Sequence, residues 1–356
     1  MTLKGILSKL IPSLRARDAV NSLITDKTGS ILSEIHCVEG MLHAMDEKNE
    51  YLFFSLQRNE GESSLESRKR IIASLPQSYG KTRGIQLISS FILQRVYAIC
   101  KSKHIEYSLA YGSLLGAIRH NGFIPWDDDL DIMINYDDLS LLLESVNSDD
   151  MLTMKRYYWC GDSECNGARY YYKVKLKGCE FAFVDVFIYS FMDYGYSYET
   201  WENTRKLSDS FHKELQIIMQ TCGFTSPALR PEADARLDDY VSMLEVKYHD
   251  EFTKQFASDD KRIGFTVSIN TLNMNREGLL IKETRKYLPI QNDCVEFEGQ
   301  TYCSFGNPEM MLRELYGDYY SLPFNVSQTH ISEFEDVTLE SVTSVLDDLG
   351  IVNDVV

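Results

Sequence analysis

Residues 105–134 read IEYSLAYGSLLGAIRHNGFIPWDDDLDIMI, a Gly-Ser turn followed by four aspartates at the mouth of an apolar strand. Asp127, Asp129 and Asp131 alternate with Asp128 and Leu130, so in an extended chain with a side-chain period of two they point to one face. Carboxylates packed that closely repel unless some are protonated or a cation neutralises them, and hard oxygen donors suit Mg2+ or Mn2+. The run 130–134 is apolar apart from Asp131 and reads as a buried core strand whose entry end carries the cation. Upstream, 107–111 reads as another strand. Gly112-Ser113 then makes a tight turn into a short helix, where backbone N–H groups can approach phosphate oxygens. Acid runs are usually solvated loops and a Gly-Ser pair alone is only a turn; their conjunction with an apolar strand is what marks a metal and phosphate site. Asp128 faces the other way in this pattern and reads as a helix cap or a support for its neighbours.

The run Gly112-Ser113-Leu114-Leu115-Gly116-Ala117-Ile118-Arg119-His120, then Gly122-Phe123-Ile124-Pro125-Trp126-Asp127-Asp128-Asp129-Leu130-Asp131, resembles the signature of the LicD family of phosphotransferases, which includes the fukutin-related proteins. Phe183-Val184-Asp185-Val186-Phe187 is similar to that family's later apolar strand with one more aspartate. Val295-Glu296-Phe297-Glu298-Gly299, Leu315-Tyr316-Gly317-Asp318-Tyr319 and Leu322-Pro323 resemble its closing segment, so the likeness spans about residues 85–325. It implies an α/β (α+β) nucleotidyltransferase-like mixed sheet with flanking helices. It also implies transfer of a phosphoalcohol, phosphocholine-like or a polyol phosphate, from a CDP-activated donor to a hydroxyl of a cell-surface glycan or its lipid-linked precursor.

By that resemblance Asp129 and Asp131 are core metal ligands, Asp127 contributes, and Asp185 is the third acid, binding a second ion or accepting the proton of the attacking hydroxyl. A lone charge amid Phe and Val also fits a buried, hydrogen-bonded structural acid. Arg119 and His120 follow the turn helix and are expected to reach donor phosphates. Lys173, Lys175 and Lys177 alternate along one strand face, either as phosphate ligands or as the guard of a solvated edge strand; Lys173 falls closest to a lysine of the family pattern. Trp126 walls the pocket, stacks on a base or packs in the core. Two other readings stay open: nucleotidyl transfer with release of pyrophosphate, and a non-catalytic assembly protein.

The chain has 356 residues, 44% of them hydrophobic, enough for one substantial core with a helical appendage. With 36 basic and 53 acidic residues its net charge is -17, which argues against duplex nucleic acid as a partner. No apolar run of about 18 residues occurs and no signal peptide can be drawn, so the expectation is a cytoplasmic protein with reduced cysteines. Cys160, Cys165 and Cys179 are close in sequence but lack a paired zinc motif.

Three segments follow from these readings: 1–75 helical, 76–331 catalytic and 332–356 an acidic tail. Ile24, Ile31, Val38, Met45 and Leu52 recur every seven residues, with Ile35, Leu42 and Leu56 on the intervening seam and Asn49 in a seam position. That is the pattern of a coiled coil joining two copies through residues 20–56, or of a long helix packed on the catalytic domain. Gly29 and Gly40 weaken a stand-alone helix. Residues 1–17 carry Leu3, Ile6, Leu7, Leu10, Ile11 and Leu14 on one face and Lys4, Lys9, Arg15 and Arg17 without an acid. Such a segment can lie on the anionic inner face of a membrane, although Pro12 interrupts it. Ile85, Ile88, Phe91, Ile92, Val96 and Ile99 make an amphipathic helix leading into the acid motif. Asp137 reads as the cap of a helix over 138–146, and 208–260 reads as mostly helical.

Overall fold

The computed structural model describes residues 48–160, 168–191, 198–224, 230–231, 235–256, 263–265, 293–322 and 336–351, with scattered helical positions between 27 and 45. The chain divides into two compact units, residues 1–71 with 321–324, and residues 72–320 with 325–356.

In the first unit the described positions from 27 to 56 are helical. Helix α1 (Ser64–Ala73) follows a loop. Its start is a reciprocal cap: Ser63 Oγ accepts from Glu66 N, and Glu66 Oε2 accepts from Ser63 N. Phe54 is buried under the Arg68 guanidinium, 5.4 Å from the ring centre. On the heptad seam Val38, Leu42, Met45, Leu52 and Leu56 are exposed. Ile24, Ile31 and Ile35, and the basic amphipathic stretch 1–17, lie outside the described residues.

The second unit is built on a mixed sheet that has seven strands among the described residues, in the order β1-β2-β5-β4-β3-β6, with β7 paired to the end of β5. Helix α2 (Gly80–Lys103) leads in, burying Ile85, Ile88, Ile92, Val96 and Cys100 at helical spacing. After it come β1 (Tyr107–Leu109), α3 (Tyr111–His120), β2 (Leu130–Asn135) and α4 (Tyr136–Asn147). Strands β3 (Leu152–Cys160), β4 (Ala168–Leu176) and β5 (Phe183–Phe191) form a meander. The chain continues through α5 (Tyr198–Thr221), β6 (Arg230–Pro231), α6 (Ala235–Phe256) and β7 (Ile263–Phe265). It closes with a separate hairpin, β8 (Asp293–Phe297) and β9 (Gln300–Ser304), then α7 (Pro308–Tyr316) and α8 (Leu339–Asp348). The α/β class expected from the sequence is the class observed.

β2 and β5 run parallel in the middle of the sheet, which is why both are apolar along almost their whole length. On one face Leu130, Ile132 and Ile134 meet Val184, Val186 and Ile188, all buried. That face continues to Tyr170 and Tyr172 on β4 and Arg156 on β3, where α5 and α6 cover it. The Arg156 guanidinium lies over both tyrosine rings and donates to Asp238 Oδ1 at 2.8 Å and Glu245 Oε2 at 2.7 Å. A buried cation paired with two carboxylates of α6 ties that helix to the sheet in one register. The other face carries Asp131, Lys173, Asp185 and Phe187.

Four local expectations are corrected. The strand over 107–111 ends at Leu109, because Leu114 N already bonds Ala110 O and Tyr111 opens α3. The cap of α4 is Asn135, whose side chain accepts from Asp137 N, so the helix starts two residues before the expected position. β4 is no edge strand: it lies between β5 and β3, and Lys173 and Lys175 are buried. Lys177 lies past the end of β4 and donates to Asp149 O. The acidic tail contributes α8, whose Val342 and Leu346 are buried, with Val342 against α2 at Gly84.

Candidate active site

Register assembles the site. Asp131 on β2 stands opposite Asp185 on β5, and Asp185 stands opposite Lys173 on β4. Residues directly opposite on neighbouring strands share a face, with strands about 4.8 Å apart. Two carboxylates and an ammonium therefore form one row across three strands. Lys173 Nζ lies 3.0 Å from Asp185 Oδ1 and 3.2 Å from Oδ2, and over the Phe183 ring at 3.3 Å. Asp129, one residue before β2, closes on the row: ligand oxygens of Asp129, Asp131 and Asp185 all lie within 4.8 Å of one another. Burial first, then Asp129, Asp185 and Asp127, hold the Asp131 carboxyl well above the usual carboxylate range, opposed by Lys173.

The acids reach this point differently from the extended pattern. Only Asp131 belongs to the strand; Asp127 sits in a turn closed by Asp127 N to Ile124 O at 2.9 Å. Its carboxylate passes over Gly112, where a β-carbon would run into Asp127 Oδ2 and lie 3.7 Å from Asp131 Oδ2. Glycine is needed there to let the carboxylate approach the helix backbone. Asp128 does not face away: a carboxylate oxygen from each of Asp127, Asp128 and Asp129 lies within 4.8 Å of the others, and Asp128 is buried. Asp129 belongs to both groups, so two hard-donor clusters adjoin.

Ser113 pins this geometry. Its Oγ accepts from Asp131 N at 2.6 Å, and Ala110 N donates to Asp131 O at 3.0 Å, so the β1–α3 bend grips the backbone of the central acid on both sides. The Ser113 hydroxyl hydrogen is left to donate. Tyr111, just before Gly112, has φ of 40°, a strained conformation for a side chain of its size. Its ring packs edge-on against Phe187, 4.7 Å away.

Arg119 and His120, expected at donor phosphates, are placed otherwise. Arg119 falls on the inward side of α3, is buried, and donates to Tyr319 O at 2.9 Å. Burial pushes its pKa down to about 10, so it stays a cation that fastens the turn after α7. Burial and the adjacent Arg119 push His120 down to about 4, which keeps it neutral near pH 7. Trp126 is half-buried, with the edge of its ring against His120. The sequence reading missed Tyr316, at the end of α7. The residue as a whole is 44% exposed, but burial of its hydroxyl, then Asp131, Asp127 and Asp129, push the pKa of that hydroxyl up.

It also missed a brace behind the acid loop. Glu298, at the tip of the β8–β9 hairpin, accepts from Arg83 Nη2 at 2.6 Å and from Phe123 N at 3.2 Å, and Glu298 N donates to Asn121 O at 3.0 Å. A β-carbon on Gly122 would displace Glu298 Oε1, so glycine there leaves room for the brace. From α2, Gln86 Nε2 donates to Asp127 O at 2.7 Å and Arg83 Nη1 donates to Gln86 Oε1 at 3.3 Å, and from the segment just before α2 Ser78 Oγ donates to Pro125 O. Residues 121–127 are thus held from both sides. The available signal was Glu298-Gly299 between two short alternating runs.

Among the described residues, the side-chain groups able to hold a metal are these aspartate clusters. Cys179 is buried, while Cys165 lies outside the described residues. No helix among the described residues is long and apolar enough to cross a membrane.

The LicD/FKTN/FKRP nucleotidyltransferase domain family matches residues 104–225. The lipopolysaccharide cholinephosphotransferase LicD of Haemophilus influenzae is 51% identical over 53 residues, 15% of this chain and 20% of that protein. An uncharacterised protein of Rickettsia prowazekii is 43% identical over 47 residues, 13% of this chain and 18% of its own. The chain matches about a fifth of the length of these relatives. The row Asp131, Asp185 and Lys173 falls within the matched region, and residues 104–225 of this chain are a LicD-family nucleotidyltransferase domain.

Proposed function

We propose that this chain is a divalent-metal-dependent phosphotransferase, moving a phosphoalcohol from a CDP-activated donor to a hydroxyl of a surface glycan or its lipid-linked precursor. The observation that carries the reading is the in-register pair Asp131–Asp185, joined by Asp129. Adjacent buried carboxylates are electrostatically costly, and a hard cation such as Mg2+ or Mn2+ turns that cost into binding. The donor set fits: Asp129, Asp131 and Asp185 would hold one ion, and Asp127 and Asp128 with Asp129 could share a second. Ions so held neutralise the transferred group and the leaving phosphate.

The protein's own groups then have separate tasks. Ser113 fixes Asp131 and keeps a hydroxyl donor for a phosphate oxygen. Lys173 orients Asp185, which serves either as ion ligand or as acceptor of the proton of the attacking hydroxyl. Arg83, Gln86 and Glu298 hold the acid loop in place, and Tyr316 and Trp126 flank it. The name of the Haemophilus relative, a cholinephosphotransferase acting on lipopolysaccharide, makes phosphocholine the first donor group to try.

The test is product analysis with Mg2+ or Mn2+ against CDP-choline, CDP-ethanolamine, CDP-glycerol and CDP-ribitol. CMP release from one of these, lost in Asp131→Asn, supports the proposal. Pyrophosphate release from a nucleoside triphosphate instead would overturn it in favour of nucleotidyl transfer. A chain that binds neither cation nor any donor in thermal-shift assays would overturn it altogether.

A further inference from the structure

The β8–β9 hairpin carries a chemistry that the phosphotransfer reading does not use. Cys294 and Cys303 are directly opposite each other on its two strands. The strands are joined by the two-residue loop Glu298-Gly299, with φ of 48° and 72°. Positive φ at both loop residues is the mark of a type I′ turn, whose flanking pair, Phe297 and Gln300, exchanges both backbone hydrogen bonds. Pairs alternate from there. Glu296–Thr301 is non-hydrogen-bonded, Val295–Tyr302 is hydrogen-bonded, and Cys294–Cys303 is again non-hydrogen-bonded.

A contact outside the hairpin agrees with this assignment. Cys303 N donates to the hydroxyl of Tyr107, 3.4 Å away on β1, so it points away from β8 as a non-hydrogen-bonded position requires. In such pairs the α-carbons approach to about 4.5 Å, inside the range of about 4.4–6.8 Å that a disulfide spans. Both side chains lie on the open face of the hairpin. Val295, Phe297, Tyr302 and Ser304 are buried on the other face, while Cys294, Glu296 and Thr301 are exposed and Cys303 is half-buried. Both cysteines are free thiols in this structure.

We infer that Cys294 and Cys303 are a thiol–disulfide modification site, closed by exchange with a low-molecular-weight disulfide. The more exposed Cys294 thiolate attacks the reagent disulfide, forming a mixed disulfide and expelling one reagent thiolate, which takes up a proton. The Cys303 thiolate then attacks Cys294 Sγ and expels the second. The protein loses two hydrogens, and the two electrons pass to the reagent, reduced to two thiols. Burial holds the Cys303 thiol above its ordinary range, with Cys294 adding to the rise and Tyr107 and Lys101 opposing it, so Cys303 is the slower thiol and acts second. The bond closes a ring through Glu298, so the thiol state would set the stiffness of the hairpin that holds residues 121–127.

The test is incubation of the full chain with oxidised glutathione, blocking of remaining thiols with iodoacetamide, and peptide mass mapping without reduction. The expected result is a 294–303 link with a mass loss of about 2 Da, reversed by dithiothreitol, and a Tm raised by about 5 °C. Neither the link nor the rise should occur in Cys303→Ser, whose Cys294 would stop at the glutathione adduct. Three results would overturn the inference: a persistent adduct on wild-type Cys294, a bond from Cys303 to the buried Cys100 of α2, or both thiols alkylated after exposure. Circular dichroism of Cys294→Ser and Cys303→Ser matching the wild type separates a missing bond from a missing fold.

Discussion

Replacing Glu298 by alanine would detach the hairpin tip from the loop that delivers Asp127, and the structure sets the size of the effect. The Arg83–Glu298 pair is 15% and 12% exposed. Breaking a fully buried pair costs about 3–5 kcal/mol and an exposed one under about 1, so about 2 kcal/mol is expected here. Phe123 N loses its acceptor, for about 1 kcal/mol more. The bond from residue 298 N to Asn121 O and the left-handed backbone survive the change. The sum is about 3 kcal/mol. Glu298→Gln keeps an oxygen for Phe123 N and loses only the charge, for about 1–2 kcal/mol. Urea denaturation of the full chain reads both numbers. CMP release by protein still folded reads the second effect: looser holding of Asp127 should lower kcat by about tenfold in Glu298→Ala, less in Glu298→Gln, with little change in KM. An alanine variant within about 0.5 kcal/mol of wild type that turns over at the same rate would refute the brace.

Asp131→Asn should abolish CMP release and the stabilisation by Mg2+ or Mn2+, while its Tm without metal stays level or rises, because the carboxyl it removes is one whose charge is disfavoured; a fall in metal-free Tm would contradict the electrostatics. Lys173→Met should cost about 3 kcal/mol at neutral pH by leaving Asp185 beside Asp131 without its cation, and less at pH 5, where carboxyls take up protons; thermal melts at the two pH values check this. His120 is held near 4, below its unfolded value of about 6.5, so the unfolded chain binds the proton more readily: stability should be flat above about pH 7 and fall by about 3 kcal/mol toward pH 4. His120→Gln should lose that part of the slope, and an identical slope in both proteins would show that another group carries it.

What could be read in the one-dimensional chain was what depends on near neighbours. The apolar run around Asp131 identified one buried strand and the family resemblance of 183–187 a second, the helical spacing of Ile85 to Val96 identified α2, and Gly112-Ser113 with the acids identified the site. Two misplacements also arose from local rules. A period of two was extended back through Asp127, where a turn closed on Ile124 in fact interrupts it, and alternating lysines suggested an edge strand where strand order makes β4 central.

By itself, then, the sequence determined a buried strand, helix α2 and the presence of an acid cluster, because side-chain periodicity and charge crowding act over a few residues, while the fold class came from the family resemblance of the motif. Only the tertiary structure decided that Asp185 lies opposite Asp131, that Lys173 balances it, that Arg119 turns inward to Tyr319, and that Glu298 supports the loop from more than 170 positions away. Those facts depend on strand order and register, which are set by how the whole core packs and leave no mark at any single position.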